Sequence, residues 1–405
     1  MQPYYEHAGI QIINAHVIDA LRDMEDESIQ CCVTSPPYWG LRDYGLKPQI
    51  WDSQDGCEHV WGDEIARYLD KRTVADKAKA SKLNITKDRS QSQSFKPNTG
   101  EAHQGQFCQI CGAWKGSLGL EPTPELYIQH MTEIFREIRR VLRKDGTCWL
   151  NLGDSYYNYR PGGTSQVKQS LAKSNGAVVE YTGKRNKRQI GLKEKDLIGI
   201  PWRVALSLQS DGWWLRSDII WNKPNPMPES VTDRPTKAHE YIFLLTKSSK
   251  YYYDHEAIKE DGVDYEIERR KKELAKGLNT KHIISSDGKT GQQPQSEGGA
   301  VKNLKHRQEL IIKGKRNKRS VWTISTQPFP EAHFAVFPEK LIEPCILAGT
   351  KIGDIVLDPF GGSGTTARVS KRLGRKAVTI ELNPAYAEMP VKRLSQEVLT
   401  FNPRA

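Results

Sequence analysis

Apolar positions along the chain gather into dense segments separated by polar ones, and the dense segments alternate between two periodicities. Ser28 to Thr34 is a short, nearly continuous apolar run closed by Pro36 and Pro37, which predicts a buried strand. From Glu125 onward, Met131, Ile134, Phe135, Ile138, Val141 and Leu142 recur at the spacing of an amphipathic helix, and Lys144-Asp145-Gly146 predicts its end. Thr147 to Leu152 predicts a strand, 196–210 a helix, and Trp214 to Trp221 and Glu240 to Thr246 two further strands. The last part predicts a helix over Phe337 to Ala348, a strand over Asp354 to Leu357, a helix over Thr365 to Leu373 and a strand over Lys376 to Ile380. Such alternation predicts an α/β fold: a doubly wound, mostly parallel sheet of Rossmann-like type with helices on both faces.

The polar stretches read as insertions into one globular body, and no internal repeat is visible. The body comprises 1–50, 117–256 and 320–400. An insert spans 51–116, a basic loop spans 160–195, and a second basic insert spans 257–319. The chain has 405 residues and a net charge of +11, but the charge is uneven. Residues 160–195 carry nine Lys and Arg against two Glu, and 265–320 carry fifteen against six acidic residues, which leaves the remainder mildly acidic. A polyanion-binding enzyme has this charge layout, and so do solvated loops without a partner. No apolar run approaches the roughly 20 residues of a membrane helix, and the first residues lack the pattern of a secretory signal. Seven cysteines are too few for a disulfide scaffold, so a reducing, cytoplasmic setting is expected and no membrane partner.

Two segments carry candidate chemistry. Asp354 to Thr366 runs from a strand through Asp358-Pro-Phe-Gly-Gly-Ser-Gly364 into a helix, so a ligand can approach bare backbone at a helix N-terminus. The next strand ends in Glu381, where a doubly wound fold can place a carboxylate on the ribose of a nucleoside. The loop lacks the Gly-Lys-Ser/Thr ending of nucleotide triphosphatases. The second segment is Thr34-Ser35-Pro36-Pro37-Tyr38-Trp39. Its consecutive prolines make a rigid ledge with free carbonyls, a hydroxyl at Ser35 and an aromatic face at Tyr38.

Together, in this order, the two segments resemble the amino-methylating DNA methyltransferases that use S-adenosylmethionine, in the permuted arrangement of their β class. The resemblance extends to the Asp19 region, Asn151-Leu-Gly-Asp154, Ile220 to Asn225 and Glu331 to Pro338, and leaves the polar inserts uncovered. It implies that Asp358, Phe360, Gly361, Gly364 and Thr365 cradle the methionine part of the donor, that Glu381 binds its ribose, and that Asp19 lies near its adenine. His333, Phe337 and Pro338 match the segment that closes over it. Where the family has Gly-Asp, this chain has Ile18-Asp19.

The chemistry this implies is direct methyl transfer to the exocyclic amino group of a base flipped out of double-stranded DNA, with Ser35 Oγ and the Pro36 carbonyl accepting the amino hydrogens. Ser35 acts as a hydrogen-bonding group, and no covalent intermediate is needed. Cys31 and Cys32 read as strand-core residues. Ser before Pro-Pro-Tyr resembles the enzymes acting on cytosine N4; adenine N6 by the same mechanism, RNA or protein as substrate, or an inactive nucleic-acid-binding protein are the alternatives. Cys108-x-x-Cys111, with Cys57 and His59, has the composition of a tetrahedral structural zinc site, and free loop thiols are the alternative. Target recognition is expected over 257–319 with help from 160–195. A homodimer and a separate cognate nuclease are both compatible with the resemblance, and the sequence decides neither.

Overall fold

The computed structural model describes residues 2–40, 46–63, 66–70, 99–103, 105–157, 192–193, 195–261, 315–327 and 336–395. It divides into two compact units, one formed by Met1–Tyr252 with Val321–Ala405 and the other by Tyr253–Ser320.

The larger unit is built on one sheet. In chain order its first elements are β1 (Tyr5–His7), β2 (Ile10–Ile13), α1 (Val17–Arg22) and β3 (Ile29–Thr34). The insert follows with β4 (Gln49–Trp51), β5 (Ala66–Asp70), β6 (Thr99–His103), β7 (Gln106–Phe107) and β8 (Trp114–Gly116). The body resumes with α2 (Pro124–Val141), β9 (Leu142–Leu152), α3 (Ile200–Ser210), β10 (Trp214–Asn222) and β11 (His239–Thr246). After β12 (Glu260–Asp261) and β13 (Lys315–Arg316) come β14 (Val321–Thr323), α4 (Glu339–Gly349), β15 (Ile355–Asp358), α5 (Thr365–Arg372), β16 (Lys376–Ile380) and α6 (Pro384–Ser395).

The nine-stranded sheet has the order β1-β2-β16-β15-β3-β9-β11-β10-β14. Strands β2, β16, β15, β3 and β9 run parallel, β11 is antiparallel to both its neighbours, and β1 is antiparallel to β2. Alternate residues of β3 and β9 show why both faces are covered. Cys32, Cys148 and Leu150 join the core with Tyr127, Met131 and Phe135 of α2. Cys31, Thr147 and Trp149 face Gly349 of α4, where an added Cβ would lie 2.5 Å from Thr147 Oγ1.

The predicted elements appear with shifted ends. Thr123 caps α2 by accepting from the Leu126 N–H at 3.2 Å, but Lys144-Asp145-Gly146 does not separate helix from strand, because β9 already begins at Leu142 and pairs there with Ile29. Helix α3 starts at Ile200 because Gly199 takes the left-handed conformation (φ 78°). Helix α4 starts at Glu339, so Phe337 is extended chain. Strand β2, which lies between β16 and the edge strand β1, is not among the predicted elements.

The insert contributes a small antiparallel sheet of order β4-β8-β7, and β5 pairs with β6. Within the smaller unit, β12 and β13 form an antiparallel pair in which Arg316 and Arg319 both reach Glu260 at 3.0 Å. Most of the 160–195 and 257–319 expectations lie outside the described residues. Among the described residues no helix is long and apolar enough to cross a membrane.

Candidate active site

Strands β15 and β3 are parallel neighbours. The chain leaves β15 through α5 toward β16 on one side, and leaves β3 through α2 toward β9 on the other. This divergence opens a crevice beyond their C-terminal ends, the place where open α/β sheets bind ligands. The two loops there are the proline ledge and the glycine loop.

Asp358 ties the two loops together. Its Oδ1 accepts from the Thr34 hydroxyl at 2.8 Å and the Phe360 N–H at 3.1 Å, and its Oδ2 accepts from the Thr366 hydroxyl at 2.6 Å. Burial pushes the carboxyl up to about 6 despite these donors. Glu381, at the end of β16, accepts from Gly362 N–H at 2.9 Å and from Asn383 N–H at 2.8 Å, and burial raises its pKa. Arg393 of α6 donates to the Ser363 carbonyl at 2.6 Å, so the glycine loop is held from both sides.

The crevice holds a cavity of about 170 Å³. Ser35 and Pro37 border it on the ledge side, Phe360 to Ser363 and Glu381 on the glycine-loop side, and Trp51, Leu118, Val336 and Phe337 supply apolar wall. An aromatic wall, a carboxylate and bare glycine backbone suit a nucleoside-bearing ligand. Gly362 is the position that fits best: its φ is +47°, and an added Cβ would find nothing nearer than the Phe360 carbonyl at 3.9 Å. The loop therefore leaves open space for a ligand beside Glu381.

The ledge is buttressed from α2 and the segment before it. Tyr127 donates to the Pro37 carbonyl at 2.9 Å, and Gly40 N–H to the Gly119 carbonyl at 2.8 Å. Ser35 Oγ donates to the Tyr38 hydroxyl at 3.2 Å. That hydroxyl lies 2.9 Å from Glu240 Oε2 and 3.0 Å from Asn151 Oδ1. The Tyr38 ring leans on Gly153, where a Cβ would come within 2.6 Å of it. Asp154 is spent elsewhere, accepting from the Gly199 and Ile200 N–H groups at the start of α3. Cys31 and Cys32 are fully buried in β3, and burial pushes the Cys31 thiol up to about 12, far from a nucleophile's range.

In the insert, Cys57, His59, Cys108 and Cys111 bring one ligand atom each to within 4.8 Å of all the others. Cys57 and Cys108 sulfurs are 4.0 Å apart, and Cys111 Sγ is 3.4 Å from His59 Nδ1. Ligands about 2.3 Å from a tetrahedral zinc ion stand roughly 3.8 Å apart, so the four donors fit one. The knuckle turn closes with Gly112 N–H donating to the Cys108 carbonyl at 3.0 Å and Gly112 at φ +77°. The same small sheet carries a stack toward the cavity. His130 lies between Trp51 (ring centroids 4.7 Å) and Trp114 (5.3 Å), with Glu121 at 3.0 Å on Nδ1 and Asp52 at 3.1 Å on Nε2.

Most residues singled out from the sequence converge here, with exceptions. Asp19 is an exposed residue of α1 and does not border the cavity; Ala15, His16 and Val17 do, because the chain turns into the helix at His16. His16 has its Nε2 buried without a hydrogen-bond partner, sits edge-on to Trp51 at 4.8 Å, and has its pKa lowered by burial. Gly361 borders the cavity and Gly364 is not among its lining residues, and in both the Cβ direction points into protein, where it would strike Thr379 at 2.8 Å and Pro390 at 2.5 Å. Asp358 braces the loops through a fully engaged carboxylate. Thr365 and Phe337 border the cavity, Pro338 is buried at the start of α4, Pro36 is buried, and His333 lies outside the described residues. Gly362 could have been found from the Gly-Gly pair; Asn151 lies in a segment of the resemblance that gives it no role and Glu240 carries no local signal, because only the pairing of β9 with β11 brings them to Tyr38.

A family model described as DNA methylase matches residues 29–392. The chain is 37% identical over 389 residues to the Type II methyltransferase M.Cfr9I of Citrobacter freundii, covering 96% of this chain and 89% of that protein. It is 36% identical to M.SmaI of Serratia marcescens, covering 95% and 90%. Among solved structures, the PvuII DNA methyltransferase (cytosine-N4-specific) aligns over 100% of this chain and 91% of that one, with 16% identity and a TM-score of 0.47.

Proposed function

The chain belongs to the DNA methylase family, and on that premise we propose that it is a site-specific DNA methyltransferase that moves a methyl group from S-adenosylmethionine to the exocyclic amino group of a flipped base, N4 of cytosine. The observation that carries the reading is a cavity bordered by both Ser35 of the ledge and the Gly362–Glu381 pair.

The donor supplies an electrophilic methyl group on a sulfonium centre. Glu381, anchored by two backbone N–H groups, still has lone pairs for ribose hydroxyls. Trp51, Phe337 and Phe360 offer apolar and aromatic surface for a purine ring. Asp358 places negative charge at the loop where the sulfonium and ammonium groups of the donor lie. Ser35 accepts a hydrogen from the target amino group, which makes the nitrogen more pyramidal and exposes its lone pair to the methyl carbon.

Ser35 before Pro-Pro-Tyr supports cytosine N4 as the target; adenine N6 is the second reading. The four donors of the insert support a structural zinc ion held by Cys57, His59, Cys108 and Cys111. Duplex DNA in the cytoplasm is the expected substrate, with target recognition assigned to the basic inserts and homodimer and nuclease partners left to the resemblance. The test is methyl transfer from labelled S-adenosylmethionine to duplex DNA followed by nucleoside mass analysis. N4-methylcytosine lost in Ser35→Ala is expected; N6-methyladenine overturns the base, and no DNA product overturns the function.

A further inference from the structure

The ledge does not end at Ser35. Its hydroxyl donates to the Tyr38 oxygen at 3.2 Å, and the Tyr38 hydroxyl in turn meets Glu240 Oε2 at 2.9 Å. Tyr38 has one proton and two acceptors, Glu240 and Asn151 Oδ1. The charged acceptor makes the stronger bond, and Asn151 is itself turned to serve it: its Nδ2 donates to Glu240 Oε2 at 3.3 Å and to the Tyr241 carbonyl at 3.0 Å. Lys223, just beyond β10, donates to the other oxygen of Glu240 and lies 4.1 Å over the Trp221 ring. Lys237, whose pKa burial lowers, also feels the charge of Glu240 and donates to the Asp154 carbonyl at 2.7 Å. The carboxylate is thus fixed at the end of a chain of hydrogen bonds that starts at Ser35.

We propose that Ser35, Tyr38 and Glu240 form a proton exit line that takes up the proton released by the methylated amino group, with Glu240 as its terminal acceptor. This inference rests on the methyltransferase reading above. As the nitrogen lone pair forms the bond to the methyl carbon, the carbon–sulfur bond breaks and its electron pair stays on sulfur, turning the sulfonium into a thioether. Positive charge develops on the nitrogen. One N–H proton passes to Ser35 Oγ, the serine proton passes to the Tyr38 oxygen, and the tyrosine proton passes to Glu240, which becomes a neutral carboxylic acid. The base is left neutral, and the donor's positive charge is balanced by loss of the carboxylate's negative one. Asp358 and Asp154 are engaged elsewhere: Asp358 accepts from Thr34, Phe360 and Thr366, and Asp154 from the start of α3. Glu240 touches neither base nor donor; it is a positioning residue that acts through Tyr38 and Ser35.

Glu240→Gln is the decisive variant, because it keeps size and hydrogen bonding while removing the basic charge. At saturating DNA and S-adenosylmethionine, its single-turnover rate is expected to fall roughly tenfold or more, with both dissociation constants within about threefold of wild type. Glu240→Asp, which restores the carboxylate, is expected to recover part of the rate. In series, Tyr38→Phe with Glu240→Gln is expected to be no slower than about threefold below the slower single variant. An unchanged rate in Glu240→Gln, a loss of binding as large as the loss of rate, or a Glu240→Asp rate no better than that of Glu240→Gln overturns the relay. Absence of any methylated base with the wild-type protein overturns the underlying function instead, so the two failures are separable.

Discussion

Thr34, the last residue of β3, donates its hydroxyl to Oδ1 of Asp358, the last residue of β15, across 2.8 Å in the buried floor of the crevice. Through this bond the strand that ends in the ledge and the strand that ends in the glycine loop are set in register at the point where, in the proposed reaction, the amino group and the methyl donor meet. Productive transfer needs the reacting atoms about 3–3.5 Å apart and in line. A bond that fixes the relative height of the two loops therefore bears directly on rate.

Asp358→Asn tests what the charge contributes. The folded carboxyl sits at about 6, above its unfolded value near 3.9. A raised acid favours the folded state only while it is protonated: that stability is full below the unfolded value and is lost as pH rises through about 6. At pH 8 the buried anion costs about 3 kcal/mol as an upper figure. The amide variant is expected to melt no lower than wild type at pH 8, with any advantage vanishing toward pH 4, while its affinity for S-adenosylmethionine falls at least tenfold because the charge proposed to face the sulfonium is gone. Paired melting and calorimetric titrations check both halves; a variant that melts much lower at pH 8 yet binds normally would show Asp358 to be purely structural.

His130 gives a pH dependence of the same sign in a higher window. Burial opposes its protonation, yet Asp52 and Glu121 on its two nitrogens push it up to about 9, above the ordinary 6.5. Glu121, fully buried, is itself raised by burial, so the gain belongs to the group as a unit. A raised histidine stabilises fully below the unfolded value and loses that contribution as pH rises through the folded one. Wild-type melting temperature is expected to fall between pH 6.5 and 9.5, by an amount equivalent to at most about 3 kcal/mol. His130→Gln is expected to start lower and show a shallower slope. Equal slopes for the two proteins would remove the charged stack from the account of stability.

Metal removal should reach the cavity. The small sheet that presents the knuckle also carries Trp51, which borders the cavity, and Trp114, which stacks on His130. One zinc per chain is the expected content by elemental analysis. Stripping it with a strong chelator, or replacing Cys108 by Ser, is expected to lower the melting temperature and to weaken S-adenosylmethionine binding, with zinc restoring both in the chelated protein. Metal-free protein with unchanged melting and binding would leave the four residues as ordinary loop thiols and a loop histidine.

The sequence was most informative where periodicity and motif coincide. Helix α2 and strands β3, β10, β11 and β16 were legible from apolar spacing, and the ledge and glycine loop from residue types that few other sites require. The Asp19 region shows the limit of motif reading: with α1 beginning at Val17, the residue there that borders the cavity is His16, three positions before Asp19. Glu240 was invisible for a different reason. Its meaning comes from lying across from Asn151 and Tyr38, a contact 202 residues long in sequence that only the sheet creates.

The two loop glycines separate binding from folding. Gly364 has φ +77° and its Cβ direction points at Pro390 of α6, 2.5 Å away, so Gly364→Ala must displace the backbone of one or the other. Gly362 has φ +47°, but its Cβ direction is open to the cavity, with nothing nearer than 3.9 Å. Its substitution by Ala costs about 1 kcal/mol of backbone strain and fills the space proposed for the donor. Gly364→Ala is therefore expected to lower the melting temperature sharply. Gly362→Ala is expected to melt within a few degrees of wild type and to lose most of its affinity for S-adenosylmethionine. Thermal denaturation and equilibrium binding on the two proteins measure this directly. If Gly362→Ala binds the methyl donor as well as wild type does, the donor does not lie against the Gly362 backbone, and the cradle assigned to Glu381 and the glycine loop is wrong.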